Sequence, residues 1–136
     1  MIIRLREKNI IDVLDLVNRI EDKFEDFYFT FNKERIFLKN NPKLIKKILK
    51  RYECYGVYDK DLEGIALVYN EKGFRTYIKF LSFYDRVSNK IIQYILWNTD
   101  KDIFIKIKKN NTIAKYIMNS FTVIGDRGKE ILLKNI

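Results

Sequence analysis

At 136 residues, with 47% hydrophobic and 15% aromatic side chains, the chain has the length of one domain and enough apolar surface to build a core unaided. Its 27 Lys and Arg against 18 Asp and Glu leave a net charge of +9, which suits anionic partners, although the heavy use of Ile, Lys and Asn supplies lysines through codon bias as readily as through selection for binding. The absence of histidine and the single cysteine, Cys54, exclude a His-based triad, a His general base, His-ligated zinc or haem, thiolate metal clusters and disulfides within the chain.

In chain order, Ile2-Ile3-Arg4-Leu5-Arg6 is β-branched and partly alternating, the mark of a strand. From Asn9 to Phe24 the period changes: Ile10, Val13, Leu14, Val17 and Ile20 recur at helical spacings, with Asn9 as N-cap. The stretch from Phe24 to Phe37 is aromatic, and Phe27, Phe29 and Phe31 alternate as in a strand, or lie as a loop across a hydrophobic groove. Asn41-Pro42 starts a helix that runs to Arg51, because Asn caps and Pro tolerates the first helical position. Its apolar stripe is Leu44, Ile45, Ile48 and Leu49, and lysines fill the rest. A basic face on an amphipathic helix is the ordinary solvated arrangement.

Three strands follow, at 55–58, 64–69 and 74–84, joined by turns at Asp59-Lys60-Asp61 and Asn70-Glu71-Lys72-Gly73. The third is long and apolar enough to be central in a sheet. Cys54, beside the first of them, reads as a small buried hydrophobe. Helical spacing returns from Ser88 to Trp97, and Asp102 to Lys108 alternates cleanly, with Ile103, Ile105 and Ile107 on one face. Asn110-Asn111 opens a short helix, and a last hairpin joins Phe121–Ile124 to Glu130–Leu133 through Gly125-Asp126-Arg127-Gly128. That glycine-containing segment leads into a strand and lacks P-loop spacing, so it is a turn rather than a phosphate cradle. The order β-α-α-β-β-β-α-β-α-β-β defines an α/β domain around a mixed sheet. No run approaches the roughly 18 apolar residues of a membrane span, and Met1-Ile2-Ile3-Arg4 is unlike a signal peptide. A cytoplasmic chain is expected, or a virion component if a phage encodes it, with no membrane partner.

In this order of elements the chain resembles the GNAT superfamily of N-acetyltransferases over nearly its whole length, and two local matches sharpen the resemblance. Leu81-Ser82-Phe83-Tyr84-Asp85-Arg86 leads into the helix at Ser88 where that family runs its central strand into the acyl-CoA pyrophosphate loop, Arg/Gln-x-x-Gly-x-Gly/Ala. Arg86 matches the first position, while Asn89 and Ile91 stand at the small-residue positions. Asn reaches left-handed backbone, whereas a branched Ile would crowd a phosphate. Asn111-Thr112-Ile113-Ala114, then Tyr116 and Phe121, is similar to the family's Asn-x-x-Ala helix ending in Tyr and a Gly-Phe pair, with Met118 four residues after Ala114.

The resemblance implies a single α/β (α+β) GNAT-like domain over residues 1–136, with a mixed, mostly antiparallel sheet of about six to seven strands flanked by about four helices. It implies a sheet splayed between central strands to form the CoA slot. Acetyl-CoA would be co-substrate, held by Tyr84, Asp85, Arg86, Ser88, Asn89, Lys90 and Asn111. Tyr116 would protonate the departing thiolate, and Phe27, Tyr28, Phe29 and Phe31 would line the acceptor site or, on the alternative reading, fill the core beneath a long connection. No metal is called for. The implied reaction is transfer of an acyl group, acetyl by expectation, to an amine on a small molecule or protein. Of the two alternatives, a non-catalytic module of the same fold, binding a protein partner or a second copy in a phage or mobile element's assembly, is favoured by Ile91 and Met118. A nucleic-acid-binding protein rests on charge alone.

Overall fold

The computed structural model describes residues 1–20, 29–31, 34–71 and 75–136. Strand β1 (Ile2–Leu5) leads through a 3-10 turn at Glu7–Asn9 into α1 (Ile10–Ile20). A small hairpin, β2 (Phe29–Phe31) and β3 (Glu34–Ile36), precedes α2 (Pro42–Arg51). The meander β4 (Glu53–Tyr58), β5 (Leu62–Glu71) and β6 (Arg75–Ser82) follows, then α3 (Asp85–Trp97), β7 (Ile103–Lys108), α4 (Ala114–Ile117), β8 (Phe121–Asp126) and β9 (Glu130–Asn135).

Seven strands form one sheet in the order β1-β4-β5-β6-β7-β9-β8, so β6 is central, as its length and apolarity anticipate. Every pairing in it is antiparallel except β6 with β7. A parallel neighbour needs a crossover, and α3 supplies it. Two cores result, one on each face. Leu5, Val13, Leu16, Val17, Ile20, Ile45, Leu67 and Leu81 pack between the sheet and helices α1 and α2. Ile91, Ile92, Ile95, Ile103, Ile105, Ile107, Ile117 and Phe121 pack under α3 and α4. Each buried Leu or Ile contributes about 1.5–3 kcal/mol of transfer free energy.

Local signals mostly read true. Asn41 Oδ1 accepts the Leu44 N–H at 3.3 Å and Pro42 takes the first helical position. At 125–128 the chain is a hairpin turn, with Gly128 at φ 83 and its N–H given to Asp126 Oδ1. Cys54 is 3% exposed, and burial pushes its thiol up to about 12. Asn9 is a correction: it closes the 3-10 turn, and its Oδ1 accepts the Arg6 N–H at 2.9 Å, so it caps by reaching back instead of standing first. The aromatic segment resolves at 29–31 into a strand paired with β3, Phe29 opposite Ile36. Phe27 and Tyr28 lie outside the described residues.

Candidate functional site

The parallel ladder between β6 and β7 has two rungs, Thr76 with Ile103 and Tyr77 with Phe104, and then stops. Both strands continue, β6 to Ser82 and β7 to Lys108, so they diverge toward their C-terminal ends and open a cleft in the middle of the sheet. Carboxyl ends of parallel strands beside a crossover helix are where ligands bind in open sheets. Beyond the rungs, the facing backbone edges of the two strands have no ladder with each other.

The mouth of the cleft is built from the two segments that follow these strands. After β6, only Phe83 and Tyr84 intervene before α3 begins at Asp85. So short a connection presses the first turn of α3 onto the sheet, and Gly64 of β5 makes room for it: a Cβ there would lie 2.7 Å from Val87 Cγ1 and 2.8 Å from Ser82 Cβ. Ser82 and Ser88 fasten this turn from beneath, their hydroxyls 2.6 Å apart, with Ser82 Oγ also 2.6 Å from the Tyr84 carbonyl. The Tyr84 carbonyl further accepts the N–H groups of Val87 and Ser88, while those of Asp85 and Arg86 have no acceptor within the helix and point out of its N-terminus. After β7, Asn111 Oδ1 accepts the Ile113 N–H at 3.0 Å and shapes the approach to α4. Thr112 Oγ1 donates to the Asp85 carboxylate. One hydrogen bond thereby spans the cleft mouth.

This geometry revises several expected roles. The helix starts at Asp85 and not Ser88, so Arg86 to Ile91 belong to its first two turns and form no loop. Asn89 is helical, its Oδ1 accepting from Gln93 Nε2 at 3.2 Å; among the described residues only Asn40 and Gly128 have positive φ, and the expected left-handed Asn89 is not found. Ser88 is 1% exposed and bonded to Ser82, which removes its side chain from the ligand-facing set. Ile91 is fully buried against the sheet, so it crowds nothing at the mouth. The helical period of 3.6 turns it inward.

Four of the expected side chains do stand at the helix start with exposed surface: Tyr84, Asp85, Arg86 and Lys90. The Arg86 guanidinium lies 4.7 Å from the centre of the Tyr84 ring, which orients the cation at the helix N-terminus. Asp85 puts a carboxylate in the same place. A carboxylate there favours the helix but opposes a phosphate. Tyr116 lies on the outer face of α4, 46% exposed, while Ile113 and Ile117 point into the core. Thr112 and Ser82 carry the mouth and were not singled out by sequence; Thr112 lies inside the Asn-x-x-Ala match, so its place was the available signal. No helix among the described residues is long and apolar enough to cross a membrane.

A seven-stranded sheet with one splayed parallel pair, a crossover helix starting at the splay, and helices on both faces defines the GNAT fold. Solved structures agree. The chain is similar to an N-acetyltransferase from Staphylococcus aureus Mu50 at a TM-score of 0.74 and 20% identity, covering 99% of this chain and 96% of that one. It is similar to the ribosomal-protein-S5-alanine acetyltransferase from Vibrio fischeri at 0.71 and 13%, covering 99% and 91%. The PaiA N-acetyltransferase from Thermoplasma acidophilum, solved in complex with coenzyme A, matches at 0.67 and 9%, covering 99% and 97%. No protein-family model matches the chain, and no curated protein matches it in sequence. The protein has the GNAT fold.

Proposed function

We propose that this protein is an acyltransferase that takes an acyl group, acetyl in the simplest case, from acyl-CoA and gives it to an amine. The observation that carries the reading is the cleft between β6 and β7, opening beside the N-terminus of α3. An extended chain containing amides suits such a cleft, since the unladdered strand edges offer N–H and C=O groups as they would to an added strand. The pantetheine arm of CoA is such a chain. The Asp85 and Arg86 amides and the Arg86 guanidinium suit its pyrophosphate. The Thermoplasma protein of the same fold was solved in complex with coenzyme A, which supports acyl-CoA as the class of ligand.

The chemistry asks little of side chains. A neutral amine attacks the thioester carbonyl, the C–N bond forms and the C–S bond breaks; the amine loses a proton to solvent and the thiolate gains one. Positioning in the cleft supplies effective concentration, and backbone N–H groups stabilise the oxyanion. Tyr116 is the proton donor we assign to the thiolate, on the resemblance of its helix. The β6 strand carries Arg75, Tyr77 and Lys79 as its ionisable groups and no carboxylate, which leaves Glu53, Glu63 and Asp85 as peripheral candidates for a general base.

Calorimetric titration with acetyl-CoA at moderate salt, with ATP and desulfo-CoA as controls, tests the proposal. Saturable micromolar binding that ATP does not reproduce supports it. Absence of binding favours the second reading, a non-catalytic domain of the same fold, for which the carboxylate of Asp85 at the mouth is the specific observation.

A further inference from the structure

Helix α3 buries Val87, Ser88, Ile91, Ile92 and Ile95 against the sheet and turns Arg86, Lys90, Tyr94 and Trp97 outward at successive helical turns. Cations fill the first half of this stripe and rings the second, with no aliphatic side chain among them. Trp97, the chain's one tryptophan, is 88% exposed, and Tyr94 is 39% exposed. From Arg86 to Trp97 the stripe runs about 16 Å along the helix axis.

Both flanks are defined. On one side Gln93 faces α4, its Oε1 accepting from Ser120 Oγ at 3.2 Å. On the other, Tyr94 meets Tyr55 of β4 edge-on at 5.7 Å between centroids, and the Arg4 guanidinium of β1 lies 5.7 Å from the Tyr55 ring centre. This adds a ring and an exposed cation to the same surface. Two carboxylates border it. Asp85 is turned toward α4, where Thr112 donates to it, and Glu53 accepts from Tyr55 Oη at 3.2 Å. Beyond Asp85, α3 has no acidic residue.

The composition selects among partners. A protein interface centres on closely packed apolar side chains, and a helix lying in a membrane surface needs a broad apolar face. The outward stripe of α3 has neither. Helix α2 is the useful contrast: it exposes Lys43, Lys46, Lys47, Lys50 and Arg51 but has no ring, so it attracts polyanions without telling them apart.

We propose that the outer face of α3 binds single-stranded nucleic acid, with Trp97 and Tyr94 stacking on bases and Arg86, Lys90 and Arg4 meeting phosphates. Rings beside a basic track bind a single strand because its base faces are open, and they gain nothing from a duplex, whose base faces are stacked inside. The charge favours the approach of any nucleic acid; the rings select the unpaired one. This goes beyond the acyltransferase reading and is tested without it.

The test titrates the full-length protein with twelve-nucleotide single-stranded RNA, single-stranded DNA and duplex DNA, following Trp97 fluorescence and the anisotropy of labelled strands. Saturable quenching of Trp97, with a single strand bound at least fivefold more tightly than the duplex, supports the proposal, and the RNA and DNA arms identify the sugar preferred. By anisotropy, Trp97→Ala should weaken single-strand binding at least fivefold, while Trp97→Phe keeps it within about twofold. Lys90→Gln should lower the salt slope by about one, and the paired change Lys46→Gln with Lys47→Gln, on α2, should leave Trp97 quenching saturable. Absence of binding at low salt, equal affinity for single strand and duplex, or wild-type affinity in Trp97→Ala overturns the proposal. So does quenching of Trp97 by phosphatidylserine vesicles but by no oligonucleotide, which would assign the face to a membrane surface.

Discussion

Thr112, four residues beyond the end of β7, donates its hydroxyl hydrogen bond to the carboxylate of Asp85, the first residue of α3, and so joins the two segments that follow the diverging strands. The bond holds the cleft mouth at a set width and places negative charge where a pyrophosphate would seek positive. Asp85→Asn should raise acetyl-CoA affinity about three- to tenfold by removing that charge, while lowering stability by about 0.3–1 kcal/mol through loss of its interaction with the helix dipole. Calorimetry and urea unfolding on the same variant check the opposite signs. An affinity that falls would mean that Asp85 orders the mouth more than it repels the ligand.

Variants at Arg86 and Tyr116 should separate binding from turnover. Arg86→Ala should weaken acetyl-CoA binding about tenfold, with a steeper loss at low salt, because the guanidinium is exposed and screened. Tyr116→Phe should slow turnover by 10-fold or more, on the order expected for a lost proton donor, with binding nearly unchanged. Steady-state kinetics beside direct binding gives both numbers, and wild-type behaviour in both variants would remove these residues from the site.

Gly64 is where fold and site meet most tightly. Gly64→Ala would place a methyl group 2.7 Å from Val87 and 2.8 Å from Ser82, forcing the first turn of α3 off the sheet. A cost of about 1–3 kcal/mol is expected, with weaker acetyl-CoA binding as the helix N-terminus shifts. Thermal unfolding and calorimetry read the two effects, and a variant of unchanged stability would show that the turn yields easily.

Alkali should unfold this protein through two buried or bonded groups. Burial lifts the Cys54 thiol from 9.0 to about 12, and burial together with the hydrogen bond to Asp12, at 2.6 Å, lifts the Tyr58 hydroxyl from 10.0 to about 12. In both cases the unfolded chain releases its proton first, so stability is intact below about pH 9 and falls as pH rises toward 12. Thermal midpoints across pH 8–12 should show this decline, shallower in Tyr58→Phe. The same burial predicts that Ellman's reagent reacts with Cys54 at neutral pH only as fast as the protein opens.

Much of the architecture was legible from residue order alone, because it depends on patterns a few residues long. The isoleucines at 103, 105 and 107, the Asn41-Pro42 start and the turn around Gly128 each declare their element through local sterics and hydrogen bonding. The element order carried the fold. Other features depended on contacts between distant segments. Sequence started the helix at Ser88, but two connecting residues and the room at Gly64 draw α3 down to begin at Asp85. The helix geometry buries Ile91 in the core, bonds Asn89 to Gln93 and closes Ser88 against Ser82. Likewise, only the register of Tyr77 against Phe104 shows where the strands β6 and β7 part. Periodicity assigns a side chain to a face; which faces meet, and where two strands part, follows from how the strands pair and pack.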